Sequence, residues 1–315
     1  MLRPLKPGDK VDVVAPGFRS ENKDVLRKAT EFLNSWGLVA RIPQDLFGSH
    51  FLHANSDEIR LKHLIQALSA SDSAAIWCLR GGYGANRLLP ALDAYFSKKQ
   101  NKEKIYPAKI YPAKIHPKWF LGISDITSLH LYLVQKQGLF TLHAPLLDRM
   151  ALGQLPGPIA SQIKSILFDP GQTELVFKLK GPRSPKIKGV LVGGNLTVLQ
   201  STIGTPWQVQ LKNKILFVED IGERAYRVDR VLEHFRQAGL FKGLKALVFG
   251  QFIGGLEPDK TNKMPDLIRR WSKDLDCPVF AGLEVGHSEW QWPIPIGLAG
   301  EIENGRLSCW IKKKS

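Results

Sequence analysis

Short apolar runs alternate with segments of helical period through the first half of the chain, and this alternation limits the fold more than any other feature. Residues 11–15 are apolar enough for a buried strand and end at a Pro-Gly pair. The apolar positions in residues 25–36 follow helical spacing and stop at Gly37. Residues 74–79 and 119–123 form further apolar runs. Such strand-helix alternation predicts a parallel, doubly wound sheet.

The pattern weakens in the middle of the chain, where prolines and glycines are frequent. We interpret residues 151–187 as a linker for that reason. Residues 1–150 are then an N-terminal α/β domain, and residues 188–315 a smaller C-terminal β/α domain. The predicted fold class is α/β, with a flavodoxin- or Rossmann-like parallel sheet in the first domain.

Composition excludes several classes of protein. With 43% hydrophobic residues and no apolar run of ~18 residues, the chain suits a globular fold without a membrane span. Its N-terminus has no apolar core of signal-peptide length, so we expect a cytoplasmic protein with no membrane partner. Cys78, Cys277 and Cys309 are scattered, which fits a reducing compartment and indicates no metal site.

The formal net charge of +15 has three possible explanations. Nucleic-acid binding is one, but no nucleic-acid motif organises the lysines, and we expect no such partner. Attraction of an acidic small substrate is the second. We favour the third, plain solubility, because much of the excess lies in residues 98–118 and 312–314. The first of these segments contains a five-residue repeat at 104–118, which we interpret as a lengthened surface loop.

Ser124 stands where an apolar strand passes into a helix. It follows residues 119–121 and Gly122, and a helical segment begins just after it. A serine on such a bend exposes its hydroxyl, and the helix N-terminus can stabilise a developing oxyanion. Taken by itself, a helix N-cap is the commoner role of serine at this place. The remainder of the chain favours a nucleophile.

Glu219 and His287 are the residues that would complete a catalytic triad. Glu219 ends the apolar run of residues 215–218, and His287 follows Gly286 in a turn. The order Ser, Glu, His is one of the known triad orders. Each residue alone also fits a plainer role, a strand-end salt bridge for the glutamate and a loop histidine for His287. His143, which ends a strand in the same half as the serine, is the chief rival for the base.

The segment Arg-Gly-Gly-Tyr-Gly at residues 80–84 follows the strand before that of the serine. Glycines there allow backbone N–H groups to approach a ligand closely. The spacing matches neither a P-loop nor a dinucleotide fingerprint. We therefore interpret this segment as an oxyanion-hole loop.

Several short motifs occur in a specific order along nearly the whole chain. They are Val14-Ala15-Pro16-Gly17, Arg80-Gly81-Gly82-Tyr83-Gly84, Gly122-Ile123-Ser124-Asp125-Ile126-Thr127, Gly193-Gly194-Asn195-Leu196, Gly204-Thr205-Pro206-Trp207, Glu219-Asp220-Ile221-Gly222-Glu223, Tyr226-Arg227-Val228-Asp229-Arg230 and Gly286-His287. With these motifs the chain resembles the LD-carboxypeptidase family of serine peptidases. That family includes cytoplasmic murein tetrapeptide carboxypeptidases and the related microcin C self-immunity proteins.

The resemblance implies a triad divided between two domains. Ser124 is then the nucleophile, Glu219 the orienting carboxylate and His287 the base. Glu223 is a nearby alternative for the triad carboxylate, but we prefer Glu219, because Glu219 matches the strand-end position of the family.

The resemblance also implies further site residues and partners. The backbone N–H groups of Asp125 and Gly82 would be the oxyanion donors, and Asn195 would lie in the substrate cleft. The resemblance implies a homodimer, and it implies no metal or cofactor.

The function implied is removal of the terminal D-alanine from a peptidoglycan tetrapeptide, in murein recycling. Two alternatives stay open. The protein would otherwise hydrolyse a toxic peptide-nucleotide, as the self-immunity relatives do, or be a catalytically silent muropeptide-binding protein with the same fold.

Overall fold

Parallel strands from the first half of the chain form one sheet in the computed structural model, which describes residues 2–97 and 114–311. These strands are β1 (Lys10–Val14), β2 (Val39–Arg41), β3 (Ser73–Cys78), β4 (Trp119–Gly122) and β5 (Thr141–His143). They pair in parallel in the spatial order β2-β1-β3-β4-β5. This is the order of flavodoxin-like sheets, so the predicted architecture of this part of the chain is confirmed.

Helices cover both faces of this first sheet. They are α1 (Val25–Ser35), α2 (Asp57–Ser69), α3 (Leu89–Phe96), α4 (Thr127–Gln135), α5 (Leu147–Ala151) and α6 (Gly157–Phe168). Successive strand residues point to opposite faces. Val13 and Trp77 pack in the core that contains α1, α5 and α6, whereas Val14 and Ile76 pack with α2, α3 and α4.

The second half of the chain forms a second, curled sheet. The strands of this half are β6 (Glu174–Lys178), β7 (Ile187–Asn195), β8 (Lys214–Ile221), β9 (Ala246–Ile253), β10 (Val279–Ala281), β11 (Ile294–Ile296), β12 (Ala299–Glu303) and β13 (Arg306–Trp310). All but β11 pair in the order β10-β9-β8-β7-β12-β13-β6, with β7 to β10 parallel and the rest antiparallel. Helices α7 (Leu196–Gln200), α8 (Ala225–Gln237) and α9 (Met264–Asp274) follow β7, β8 and β9. The predicted mixed α/β class is confirmed.

The second half of the chain adds a strand to the first sheet, and the two sheets share a core. β11 returns from the second half and pairs antiparallel with β5, with Ile294 opposite His143. One continuous apolar core contains Trp77 of the first sheet and Phe217 of the second. A site between the two sheets is therefore built on a packed interface.

The segment 151–187, which we interpreted as a linker, contains regular elements. It contains α6, whose Ile159 and Ile163 pack into the shared core, and β6, which pairs with β13. The proline that obscured the helix is Pro158, which stands in its first turn, where no N–H is needed. The division into domains at residues 1–150 and 188–315 stays a prediction.

Lys118 corrects the expectation of a solvated loop at residues 98–118. The repeat lies outside the described residues up to residue 113, as do lysines 312–314, but Lys118 is described and buried. Its Nζ donates to the carbonyl oxygens of Ala67 and Ala70 and to Ser73 Oγ, at 2.7, 2.5 and 2.7 Å. Burial lowers the pKa of Lys118 to about 8. This lysine therefore closes the C-terminal end of α2 and adds nothing to the surface.

The described chain contains no helix that is both long enough and apolar enough to cross a membrane. Cys78 and Cys309 are buried and Cys277 is half-buried, and all three are free thiols.

Candidate active site

Ser124 occupies a strained bend at the carboxyl end of β4. Its φ of +70° lies in the left-handed region, which a residue with a side chain seldom adopts. Gly122 permits the bend, because a Cβ there would lie 2.7 Å from Ile126 Cγ2. Residues Ser124–Ile126 form a 3₁₀ turn that leads into α4, and the N-cap residue is Ile123. Ser124 is therefore not the helix N-cap of the simpler interpretation.

The loop after β3 packs closely against Ser124, and the loop after β1 packs against the loop after β3. A Cβ on Gly81 would lie 3.0 Å from Ser124 Cβ, and one on Gly17 would lie 2.3 Å from the Gly81 carbonyl oxygen. That oxygen accepts a hydrogen bond from Phe18 N–H at 2.8 Å. The strand order reverses between β1 and β3, and sheets of this type bind ligands in the crevice at that point. The serine lies beside this crevice.

Two buried charged side chains fix these loops, and the sequence analysis assigned neither of them. Asp125 Oδ2 accepts the N–H of Ala85 at 2.8 Å, and burial raises the pKa of this carboxyl to about 6. Arg60, on α2, donates to the carbonyl oxygens of Pro16 and Gly84. An arginine in an amphipathic helix is usually interpreted as exposed, so the sequence alone contained no signal for Arg60.

The two predicted oxyanion donors lie on the segments that meet at the serine. Gly82 follows Gly81 and has a φ of +98°, and a Cβ there would overlap the ring of Phe18. The N–H of Asp125 is in the first turn of its helix, where no helical carbonyl precedes it. Their role stays a prediction.

Glu219 and His287 form a buried hydrogen-bonded pair. The distance from His287 Nδ1 to Glu219 Oε2 is 2.6 Å, with Glu219 fully buried and the His287 side chain 13% exposed. Burial raises the pKa of Glu219, although His287 opposes the change. Burial alone would lower the pKa of His287, but the charge and hydrogen bond of Glu219 outweigh it, so this pKa is raised. The pair can hold one imidazole tautomer and stabilise its protonated form.

The end of β7 brings this pair towards the serine. Asn195 N–H donates to Thr127 Oγ1 at 3.0 Å, and a Cβ on Gly194 would lie 2.5 Å from the same oxygen. Asn195 is opposite Glu219 in the pairing of β7 with β8, and Thr127 begins the helix that follows Ser124. Within the described residues, no hydrogen bond joins the Ser124 hydroxyl to His287.

The side-chain amide of Asn195 forms hydrogen bonds with other residues of the protein. Its Nδ2 donates to Asp220 Oδ1 at 2.8 Å, and its Oδ1 caps α7 by accepting from Val198 N–H at 3.1 Å. Asp220 also accepts from the N–H and the hydroxyl of Thr197. Asn195 is buried, and its predicted place in the substrate cleft stays a prediction.

The rival residues have different surroundings. His143 is buried, and both of its ring nitrogens lack a partner in the described chain. Burial holds the pKa of His143 well below its usual value, and its ring packs edge-on against Phe217. Glu223 is partly exposed, and its Oε2 lies 3.6 Å from Arg227 Nη1. The geometry therefore favours Glu219 and His287 over Glu223 and His143.

Known proteins match both the sequence and the fold. Models described as the N-terminal and C-terminal domains of LD-carboxypeptidases match residues 11–144 and 188–302. A provisionally named carboxypeptidase of Rickettsia conorii is 35% identical over 302 residues, which cover 93% of this chain and 87% of the relative.

Two solved structures have a similar fold. The muramoyltetrapeptide carboxypeptidase of Oxalobacter formigenes is 28% identical, with a TM-score of 0.80 and coverage of 95% of this chain and 97% of its own. The microcin C7 self immunity protein in complex with aspartyl sulfamoyl adenosine has a TM-score of 0.82 and covers 100% and 99% of the two chains. Its identity is 19%, so this second likeness concerns the fold alone.

Proposed function

This chain belongs to the LD-carboxypeptidase family, and on that premise we propose that it is a serine peptidase that removes the terminal D-alanine from murein-derived tetrapeptides. The observation that supports the proposal most is the hydrogen bond of 2.6 Å between Glu219 and His287, together with the strained serine at the end of β4. A serine hydroxyl becomes a nucleophile only when an oriented base takes its proton.

In the proposed first step, Ser124 Oγ attacks the carbonyl carbon that precedes the terminal residue. His287 accepts the hydroxyl proton on Nε2, because its Nδ1 is held by Glu219. The same carboxylate stabilises the imidazolium that results. The pKa of His287 is raised because Glu219 stabilises its protonated form in the same way.

The tetrahedral intermediate carries its negative charge on the former carbonyl oxygen. We assign its stabilisation to the backbone N–H groups of Asp125 and Gly82, since one begins a helix and the other lies in the glycine loop. His287 then gives its proton to the leaving amine. Water, activated by the same histidine, hydrolyses the acyl-enzyme.

The proposal requires His287 to come within hydrogen-bond reach of Ser124 when substrate binds. Catalytic hydrogen bonds are often long in ligand-free enzymes and shorten in the complex. The contact between Gly194 and Thr127 is where the two halves would adjust, because it joins the helix of the serine to the strand beside Glu219.

A second function is supported by one specific observation. The fold covers the whole length of a self-immunity protein that binds aspartyl sulfamoyl adenosine. Hydrolysis of a peptide-nucleotide is therefore the alternative, and the same triad would perform it.

A comparison of two substrates tests the proposal. The purified protein is incubated with a murein tetrapeptide and, separately, with aspartyl sulfamoyl adenosine, and the products are identified by mass spectrometry. We expect loss of alanine from the tetrapeptide. Cleavage of the nucleotide alone would favour the alternative. Failure on both substrates, with no labelling of Ser124 by a serine-directed phosphonate, would favour a binding protein without activity.

The family resemblance also leads us to propose a cytoplasmic role in murein recycling and a homodimeric state. Size measurement of the purified protein by light scattering tests the second point.

A further inference from the structure

Arg149 places a half-buried cation next to the proposed base. It lies on α5, directly after the strand β5, and its Nη1 donates to the carbonyl oxygens of His287 and Ser288, each at 3.4 Å. Both contacts are long, and both are to neutral groups. Among the described residues, no carboxylate forms an ion pair with this guanidinium.

The nearest carboxylate is already engaged by another arginine. Asp148 is buried and pairs with Arg80 at 3.1 Å, and its backbone N–H is held by the carbonyl of Leu79. Arg80 directly precedes the glycine loop beside Ser124. Two arginines therefore share one aspartate at this edge of the cleft, which leaves one positive charge without a partner.

An unpaired charge that is partly removed from water lowers stability. Burial accordingly lowers the pKa of Arg149 below its usual value. An anionic ligand that pairs with the guanidinium offsets this loss of stability. A guanidinium binds a carboxylate through two parallel hydrogen bonds.

The chemistry of a carboxypeptidase places a carboxylate at this point. The terminal residue has its carboxylate on the carbon that also bears the scissile nitrogen. His287 must protonate that nitrogen when the bond breaks. The terminal carboxylate of the substrate therefore lies close to His287. Arg149 already donates a hydrogen bond to the carbonyl oxygen of His287.

We propose that Arg149, supported by the neighbouring charge of Arg80, binds the terminal carboxylate of the substrate and so restricts cleavage to the last residue. This inference rests on the proposed peptidase function. Arg149 is then a binding residue for the substrate as well as a support of the His287 loop, and the two roles differ in their consequences.

The test compares a tetrapeptide that ends in a free carboxylate with the same peptide ending in an amide. The proteins are the wild type, Arg149→Gln, Arg149→Lys and the control Arg183→Gln, which removes an exposed arginine. We expect the wild type to prefer the acid, and Arg149→Gln to lose about 100-fold in kcat/KM on the acid together with most of that preference. Arg149→Lys should recover part of the preference, and the control should keep all of it.

Other outcomes would overturn the inference. An equal loss on acid and amide in Arg149→Gln would show that this side chain only supports the His287 loop. A wild type that cleaves the two peptides equally would show that the terminal carboxylate is not recognised. A wild type that cleaves neither would instead contradict the proposed function, which separates the two failures.

Discussion

His287 Nδ1 lies 2.6 Å from Glu219 Oε2, although the two residues are 68 positions apart in the chain. The other carboxylate oxygen, Oε1, is buried without a partner among the described residues. A structural salt bridge would be expected to satisfy both oxygens, because a buried polar atom without a partner is costly. The arrangement instead suits a carboxylate whose task is to orient and charge one imidazole. The unpaired oxygen therefore favours a catalytic pair over the strand-end salt bridge that the sequence also allowed.

Replacement of Ser124 separates activity from stability. We expect Ser124→Ala and Ser124→Gly both to lower turnover by several orders of magnitude. Because the residue has a positive φ, the glycine variant should be more stable than the alanine variant by about 1 kcal/mol. Kinetics and thermal unfolding on the same samples measure both effects. Near-normal turnover in either variant would remove Ser124 as the nucleophile.

The choice between the two histidines is tested by a matched pair of variants. His287→Ala should reduce turnover as severely as Ser124→Ala. His143→Ala should retain turnover, because His143 contacts no carboxylate, and should lose about 2 kcal/mol of stability from the cavity it leaves. The reverse pattern of activities would identify His143 as the base.

The pH dependence of the reaction reports on Glu219. His287 acts as a base only when neutral, so kcat/KM should rise with pH through the pKa of His287, which Glu219 holds above its usual value. In Glu219→Gln the charge is gone and burial alone lowers that pKa, so the rising limb should move to lower pH. The plateau should also fall, by roughly 10⁴-fold. A limb that stays in place would contradict the role assigned to this carboxylate.

The contact between the two halves of the chain is tested at Gly194. A Cβ there would lie 2.5 Å from Thr127 Oγ1, whereas a Cβ on Gly204 would meet nothing within 4 Å, and both glycines have positive φ. Gly194→Ala should therefore be less stable than Gly204→Ala by at least about 1 kcal/mol and should have lower turnover. Equal effects in thermal unfolding and kinetics would mean that the close approach is unimportant.

The sequence predicted the parts of the fold that depend on local pattern. The apolar run at residues 11–15 became β1, the helical period at 25–36 became α1, and the bend at Ser124 follows β4. Each of these features is encoded by neighbours in the chain. The parallel, doubly wound arrangement of the first sheet followed from the alternation of such elements.

The parts that were missed depend on contacts between distant segments. β11 is three residues long and contains Pro295, so only its pairing with β5 makes it a strand. Lys118 was expected in solvent, but three acceptors, from α2, its C-cap residue and β3, bind its ammonium group. Arg60 and Arg149 gained their roles from loops far away in sequence, and no local pattern predicts those neighbours.

The most direct test of the proposed activity is the product of the reaction itself. Wild-type protein and Ser124→Ala are each incubated with a murein tetrapeptide, and the peptide masses are followed by mass spectrometry. We expect loss of one alanine with the wild type and none with the variant. Loss of alanine with both proteins would show that Ser124 is not the nucleophile, and an unchanged tetrapeptide with the wild type would contradict the proposed activity.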